Sequence, residues 1–189
     1  MKILIFSDLH GNLKVFNLLM EKYFKTADQI WCLGDIFFSY NKDETSRQNS
    51  EQIMNSLMNY KEKTVEYYVG NCDGYDDYSK FKEYMIHEPF VIKDFDKLKI
   101  CVTHGHLFEK EGQFKNLAFE TKSRVIISGH THIYSLKIIE NTIYINPGSP
   151  AVPRDTNSLA TVVIFDTDKK SFSLKEIYTQ DTIEEIFVN

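Results

Sequence analysis

The chain has 189 residues, which is enough for one domain that buries roughly 70% of the surface of its unfolded chain. Hydrophobic residues make up 42% and aromatic residues 14% of the sequence, a composition that excludes intrinsic disorder. The net charge of -5 argues against a surface for long nucleic acids or anionic membranes. We therefore expect a single domain over residues 1–189.

The cysteines and the N-terminal residues indicate the cellular compartment in which we expect the protein. The sequence has three cysteines, an odd number: Cys32, Cys72 and Cys101. Two of them lie in apolar strand-like runs. This usage suits a reducing environment better than a disulfide framework. The apolar run at residues 3–6 is too short for a signal peptide or a membrane span. We expect a soluble cytoplasmic protein without membrane contact.

In the first half of the chain, predicted strands alternate with predicted helices. Apolar runs that end in polar turns predict buried strands at residues 3–6, 29–33, 65–69, 99–103, 125–128 and 143–145. After Asn12, apolar residues at helical spacing predict a helix that extends to Phe24. A second helix is predicted over residues 49–60 and a short one over 79–85, and the polar stretch 39–49 predicts an exposed loop.

The pattern changes to hairpins near Tyr134. Strands are predicted at residues 135–139, 142–145, 159–165 and 171–178, and the first two are joined by a turn at Glu140 and Asn141. The sequence contains no internal repeat or low-complexity tract. The periodicity therefore predicts one mixed α/β domain.

The carboxyl ends of the predicted strands carry only Asp, Asn and His as polar side chains with metal-binding chemistry. They are Asp8, His10, Asp35, Asn71, His104, His106, His130 and His132. Any one Gly-Asp or Gly-Asn pair is ordinary turn chemistry, but turn preference does not explain the whole set. Ligands bind beyond the carboxyl ends of strands in open α/β sheets. Carboxylate, amide and imidazole groups bind Mn, Fe and Zn, so we predict a metal centre.

The order of these motifs resembles that of the calcineurin-like metallophosphoesterases. The matching motifs are Asp8-x-His10, Gly34-Asp35, Gly70-Asn71-x-Asp73, His104-x-His106 and Gly129-His130-x-His132. The segment Asn146-Pro147-Gly148-Ser149 extends the resemblance to the YfcE-type phosphodiesterase branch. The resemblance implies a two-sheet β-sandwich flanked by helices, which is the four-layer metallophosphoesterase fold.

The resemblance also implies a centre of two divalent metal ions. The first ion would be held by Asp8, His10, Asp35 and His132, and the second by Asp35, Asn71, His104 and His130. Asp35 would be the bridging carboxylate, and a hydroxide between the ions would be the nucleophile. Mn²⁺ is the expected metal, and Zn²⁺, Fe²⁺ and Ni²⁺ are the alternatives.

Four further residues are candidates for catalysis: His106, Asp73, Cys72 and Arg154. Asp73 is expected to orient a ligand or close its turn. His106 and Arg154 are expected to contact the substrate phosphate, and a structural role is the alternative for both.

Cys72 replaces a histidine that protonates the leaving oxygen in many phosphatases of the wider family. A thiol cannot carry the positive charge of an imidazolium, so acid assistance should be weaker. The alternative for Cys72 is a space-filling role.

These features predict a metal-dependent phosphodiesterase with a small phosphodiester substrate. One alternative is a non-catalytic protein-binding scaffold of the same fold, although such relatives depart from the ligand set. Another is a nucleotide-specific hydrolase or nuclease, but the acidic balance argues against long nucleic acids. Aromatic residues at 37–38 and 75–84 suggest exposed apolar surface and hence a homo-oligomer.

Overall fold

The computed structural model describes residues 1–37, 43–60, 64–73, 81, 84–110 and 112–188. Within this part of the chain the strands form two sheets. The first has seven strands in the spatial order β12 (Thr182–Phe187), β11 (Ser171–Glu176), β10 (Thr161–Asp166), β1 (Lys2–Phe6), β2 (Gln29–Cys32), β3 (Thr64–Tyr68) and β4 (Met85–Ile86). The second has five, in the order β5 (Val91–Phe95), β6 (Leu98–Thr103), β7 (Val125–Ser128), β9 (Thr142–Pro147) and β8 (Tyr134–Ile139).

The helices are α1 (Leu13–Leu19), which continues into a π-helical turn at Met20–Phe24, α2 (Glu44–Asn59) and α3 (Gln113–Thr121). Two of them begin at a side-chain cap. The Asn12 carboxamide accepts a hydrogen bond from the backbone N–H of Val15, and the Asp43 carboxylate accepts one from Ser46. Such caps satisfy N–H groups that have no partner within the helix.

The alternation of side chains along β1 shows how the layers are stacked. Leu4 and Phe6 pack in a cluster with residues of α1 and α2, whereas Ile3 and Ile5 pack against the second sheet. This follows from the two-residue period of a strand. On the far side, Leu117 of α3 packs against the second sheet in a third cluster. The layers are therefore helices, sheet, sheet and helix, and the predicted fold is confirmed.

Strand direction brings the predicted ligands to one edge of the two sheets. The strands β1, β2 and β3 run parallel, as do β6 and β7. The turns that follow them are joined by backbone hydrogen bonds. The N–H of His10 donates to the carbonyl oxygen of Asp35 at 2.9 Å, and the N–H of Gly129 donates to that of His104 at 2.9 Å.

Two predictions from the sequence need correction. The helix α2 begins at Glu44, so the exposed loop predicted over residues 39–49 is wrong from that residue onwards. Met85 lies in a strand and not in a helix, and most of the predicted helix over 79–85 lies outside the described residues.

Phe37 and Phe81 are buried in the core, so neither contributes to an exposed interface, whereas Tyr84 is 51% exposed. Phe38 and residues 75–80 lie outside the described residues. Self-association itself stays a prediction. None of the described helices combines the length and the apolar character that a membrane crossing requires.

Candidate metal centre

Five of the seven predicted metal ligands have a left-handed backbone conformation. These ligands, whose φ angles lie between 49° and 70°, are Asp8, His10, Asp35, His130 and His132. Such a conformation costs a residue other than glycine on the order of 1–3 kcal/mol, and it concentrates at functional sites. Here it turns the chain sharply after β1, β2 and β7, so that side chains from these three turns point into one volume.

The first candidate group of ligands consists of Asp8, His10 and His132, all of which are buried. Nε2 of His132 lies 3.3 Å from Oδ1 of Asp8 and 3.2 Å from Nε2 of His10. The three side chains come from turns that are more than 120 residues apart in the sequence. Their nitrogen and oxygen atoms surround a space of the size that one metal ion needs.

The second candidate group consists of Asp8, Asp35 and His104, which are also buried. Nε2 of His104 lies 3.6 Å from Oδ2 of Asp35 and 3.1 Å from Oδ1 of Asn71. Asp8 is the residue common to both groups. Oδ2 of Asp35 is also 3.9 Å from Nε2 of His10. It therefore lies between two imidazoles, where a bridging carboxylate would be placed.

The hydrogen bonds of His104 and His132 fix which ring nitrogen carries the proton. Nδ1 of His104 lies 2.7 Å from the carbonyl oxygen of Leu33, and Nδ1 of His132 lies 2.8 Å from that of Val152. A carbonyl oxygen only accepts, so both Nδ1 atoms must donate and both Nε2 atoms present lone pairs. Backbone partners of this kind commonly orient metal-binding histidines.

These lone pairs face other acceptors, which is the arrangement that a cation satisfies. Nε2 of His132 faces Oδ1 of Asp8, and this carboxylate oxygen is buried without a hydrogen-bond donor among the described residues. Nε2 of His104 faces oxygen atoms of Asp35 and Asn71. Unpaired buried acceptors are costly, whereas a metal ion would coordinate all of them. The residues present therefore fit divalent metal ions.

Burial shifts the pKa values in the direction that metal binding requires of histidine. It lowers the pKa of His104 and of His132 to about 4, so both rings are neutral near pH 7 and available as ligands. Burial, with repulsion from Asp35, raises the pKa of Asp8 to about 8. A cation beside this carboxylate would offset both effects and keep it ionised.

His130 lies beside the cluster but belongs to neither group of ligands. Its Nε2 lies 2.8 Å from Oε1 of Glu109, and its backbone N–H donates to Oδ2 of Asp8 at 2.9 Å. The centre of its ring is 5.3 Å from that of His104. Glu109 was missed by the sequence analysis, because nothing distinguishes it from other charged residues in a polar stretch.

The turn after β3 holds Asp35 in position. The Asp73 carboxylate, which is buried, accepts hydrogen bonds from the backbone N–H groups of Asp35 at 2.6 Å, Ile36 at 3.0 Å and Gly70 at 3.0 Å. The N–H of Cys72 donates to Oδ1 of Asp35 at 2.8 Å. A Cβ atom at Gly70 would overlap the Asp35 carboxylate. This close approach explains why a glycine precedes Asn71.

The Cys72 thiol lies next to the cluster and is half-buried. Burial, followed by the nearby Asp35 carboxylate, raises its pKa to about 12. Its sulfur lies 3.2 Å from Nδ2 of Asn71, which can donate to it. The thiol is therefore neutral and touches a predicted ligand.

The segment at residues 146–149 braces the turns that carry the ligands. Nδ2 of Asn146 donates to the carbonyl oxygen of Gly129 at 2.8 Å and to Oγ1 of Thr131 at 3.1 Å. Ser149 donates to the carbonyl oxygen of Asp8 at 2.7 Å. This motif thus connects two ligand-bearing turns and contributes more than a tight turn.

The structure also places His106 and Arg154 close to the predicted ligands. The ring of His106 lies 5.3 Å from that of His104, and its Nδ1 is buried without a hydrogen-bond partner among the described residues. Burial lowers the pKa of His106. Arg154 is exposed, and its backbone N–H donates to the carbonyl oxygen of His132 at 3.0 Å. Arg154 also lines a groove that includes His130.

Comparison with known proteins identifies the family of the chain. The family model of the calcineurin-like phosphoesterase superfamily domain matches residues 1–170. The phosphodiesterase YfcE of Escherichia coli is 26% identical over 194 residues, covering 100% of this chain and 99% of its own length. A phosphodiesterase of Methanocaldococcus jannaschii is 30% identical over 184 residues, covering 91% of this chain and 96% of its own.

Solved structures with the same fold include a phosphoesterase and a vacuolar protein sorting protein. The structure of YfcE, a phosphoesterase from Escherichia coli, superposes with a TM-score of 0.76 at 22% identity and covers 100% of both chains. Vacuolar protein sorting 29 from Cryptosporidium parvum superposes with a TM-score of 0.67 at 14% identity, covering 99% of this chain and 98% of its own. At these identities the likeness shows the shared fold.

Proposed function

The chain belongs to the calcineurin-like phosphoesterase superfamily and is a metallophosphoesterase, and from this premise we propose that it hydrolyses small phosphodiesters with two divalent metal ions. The observation that carries the proposal is the convergence of buried lone pairs on His104, His132 and Asp8. Mn²⁺ is the proposed metal, since the ligand set of carboxylate, amide and imidazole suits it.

The proposed ligands divide between two positions. Asp8, His10, Asp35 and His132 would hold the first ion, and Asp35, Asn71, His104 and His130 the second. Because Nε2 of His130 is paired with Glu109, Nδ1 is the ring atom left to bind a metal. Two divalent ions, when bound, lower the pKa of a bound water towards neutrality and neutralise charge on the phosphate.

The remaining side chains would bind and orient the substrate. The guanidinium of Arg154 presents a planar pair of donors that matches phosphate oxygens. The ring of His106 lies 5.3 Å from that of His104, so its imidazole would contact a phosphate held by the second ion. Cys72 contributes a neutral thiol, which is a weak donor and adds no positive charge. Most of the proposed ligands are buried, which strengthens electrostatic interactions at the site.

Metal analysis paired with two substrates tests the proposal. The protein would be loaded with Mn²⁺, freed of excess metal and analysed for metal content, and then assayed with bis-p-nitrophenyl phosphate and p-nitrophenyl phosphate. We expect two ions per chain, hydrolysis of the diester, loss of activity on chelation and recovery on addition of Mn²⁺. Full activity after exhaustive chelation contradicts a metal mechanism. A chain that binds no metal and cleaves neither ester would instead match the protein-binding scaffold.

A further inference from the structure

A groove of about 750 Å³ opens beside the candidate metal centre. Its volume lies in the range of about 300–1,000 Å³ that is typical of small-molecule sites. The end next to the metal centre is formed by Gly105, Gly129 and His130. The lining also includes three aromatic residues, Phe108, Phe114 and Tyr144. A substrate whose phosphate is held at the metal centre would therefore extend into an aromatic groove.

The aromatic side chains of the groove pack against one another and against the hydrophobic cluster between α3 and the second sheet. The rings of Phe108 and Phe114 are 5.8 Å apart and tilted by 34°. Phe90 packs against Phe108 edge-on at 6.4 Å. All of them adjoin the cluster between α3 and the second sheet, while Phe108, Phe114 and Tyr144 remain half-exposed. Fixed and partly exposed rings of this kind provide faces on which a planar group can stack.

The charges along the groove favour an anionic or neutral occupant. Among the residues that the structure describes, Lys110, Lys115 and Arg154 line it, against one carboxylate, Glu109. That carboxylate is paired with His130, and Lys115 is paired with Glu140, which is not part of the lining. Aromatic faces also attract quaternary ammonium groups, but the excess of cations among the described lining residues opposes such a head group.

We propose that the groove binds the ester group that is not released, and that this group is a nucleoside whose base stacks on Phe108, Phe114 and Tyr144. This inference rests on the proposed function, because the phosphate must be held at the metal centre for the groove to matter. The volume exceeds what a small alkyl ester would fill. The cations suit the sugar-phosphate end of a nucleotide.

Three diesters with a common leaving group separate binding in the groove from the chemical step. The p-nitrophenyl esters of methyl phosphate, phenyl phosphate and thymidine 5′-monophosphate all release p-nitrophenol. We expect kcat/KM to be highest for the thymidine ester and about tenfold or more above the methyl ester, since base stacking on aromatic side chains has about this effect. Equal values for the three esters, or a phenyl ester that matches the thymidine ester, would overturn the nucleoside assignment.

A pair of variants on α3 locates the effect. Phe114→Leu removes a ring of the groove, whereas Phe119→Leu removes an 84% exposed ring on the same helix that is not part of the groove lining. We expect Phe114→Leu to lower kcat/KM for the thymidine ester about fivefold to tenfold, with the methyl ester little changed. Phe119→Leu should change neither. A thymidine preference that survives in folded Phe114→Leu overturns the proposal.

Equilibrium binding provides a readout that does not depend on turnover. Calorimetric titration with thymidine 5′-monophosphate should show a Kd about fivefold to tenfold higher for Phe114→Leu than for the wild type. If that variant does not fold, Lys110→Glu at the exposed rim replaces it, with Lys97→Glu as the distant control. An unchanged affinity of Lys110→Glu for thymidine 5′-monophosphate then overturns the assignment of the groove as the nucleoside site. Failure of Mn²⁺-loaded wild type to cleave any of the three esters would instead overturn the proposed function.

Discussion

The hydroxyl of Ser149 donates a 2.7 Å hydrogen bond to the carbonyl oxygen of Asp8, which lies 141 residues earlier in the chain. Oγ of Ser149 accepts hydrogen bonds from the N–H groups of Ala151 at 3.2 Å and Val152 at 2.7 Å. The carbonyl oxygen of Val152 in turn accepts a hydrogen bond from Nδ1 of His132. One buried hydroxyl therefore fixes the turns that present two predicted metal ligands.

Ser149→Ala should lower both stability and metal affinity. The substitution leaves buried backbone groups without partners, which costs about 1–3 kcal/mol of the free energy of unfolding. Loosened ligand turns should weaken Mn²⁺ binding about 10- to 100-fold, as changes to the groups that orient metal ligands do. Urea unfolding and metal titration measure the two effects. Ser173→Ala is the matched control, because that hydroxyl binds Glu185 on the exposed surface. Equal effects of the two variants would contradict the bracing role of Ser149.

Asp73→Asn should disturb the site through Asp35. The Asp73 carboxylate accepts N–H donors from Asp35, Ile36 and Gly70 with both of its oxygens, whereas a carboxamide would turn one N–H donor towards another. We expect a loss of about 1–3 kcal/mol in the free energy of unfolding and weaker Mn²⁺ binding. The control is Asp94→Asn, at an exposed position of β5. An Asp73→Asn protein with wild-type metal affinity would show that Asp73 does not position Asp35.

The strand ends were predictable from the sequence because their signals are local. An apolar run followed by Gly, Asp, Asn or His encodes a buried strand that ends at a polar edge, and the structure has strands at all six predicted positions of this kind. Parallel pairing then brings these ends together. Most of the predicted ligands could therefore be grouped before any distance was known.

Elements with weak local signals could not be predicted. The strand β12 reads TIEEIF and is exposed along most of its length, so it lacks a buried face. The first turns of α2 are polar and are stabilised by the Asp43 cap, so they resemble a loop. The pairs of Glu109 with His130 and of Ser149 with Asp8 join distant segments, and no sequence period encodes them.

Asp35→Ala and His10→Ala should affect the two metal positions differently. Oδ2 of Asp35 lies near the imidazoles of both His10 and His104, so its removal should weaken both positions and abolish hydrolysis. His10→Ala should mainly weaken the first, leaving about one tightly bound ion per chain. Metal analysis after dialysis and assays with bis-p-nitrophenyl phosphate distinguish these outcomes. His87→Ala, which removes the histidine outside the strand ends, is the control. Full activity of Asp35→Ala would refute the bridging role.

Cys72→His should shift the balance between monoester and diester hydrolysis. The thiol is neutral beside Asn71, so it offers neither a strong acid for the leaving oxygen nor a charge to offset the second negative charge of a monoester. General-acid assistance is typically worth about 10²- to 10⁴-fold. The wild type should therefore prefer bis-p-nitrophenyl phosphate over p-nitrophenyl phosphate, and both over alkyl monoesters.

The histidine variant should raise kcat/KM for p-nitrophenyl phosphate relative to the diester, because an imidazolium can supply both the proton and the charge. Cys72→Ser is the matched control, since a hydroxyl of similar size remains neutral and should leave the ratio unchanged. The comparison requires equal metal content in the three proteins, because Cys72 donates its backbone N–H to Asp35. A wild type that prefers the monoester, with the same ratio in Cys72→His, would show that position 72 only fills space. The ligand assignment at Asp35 and His104 does not depend on that result.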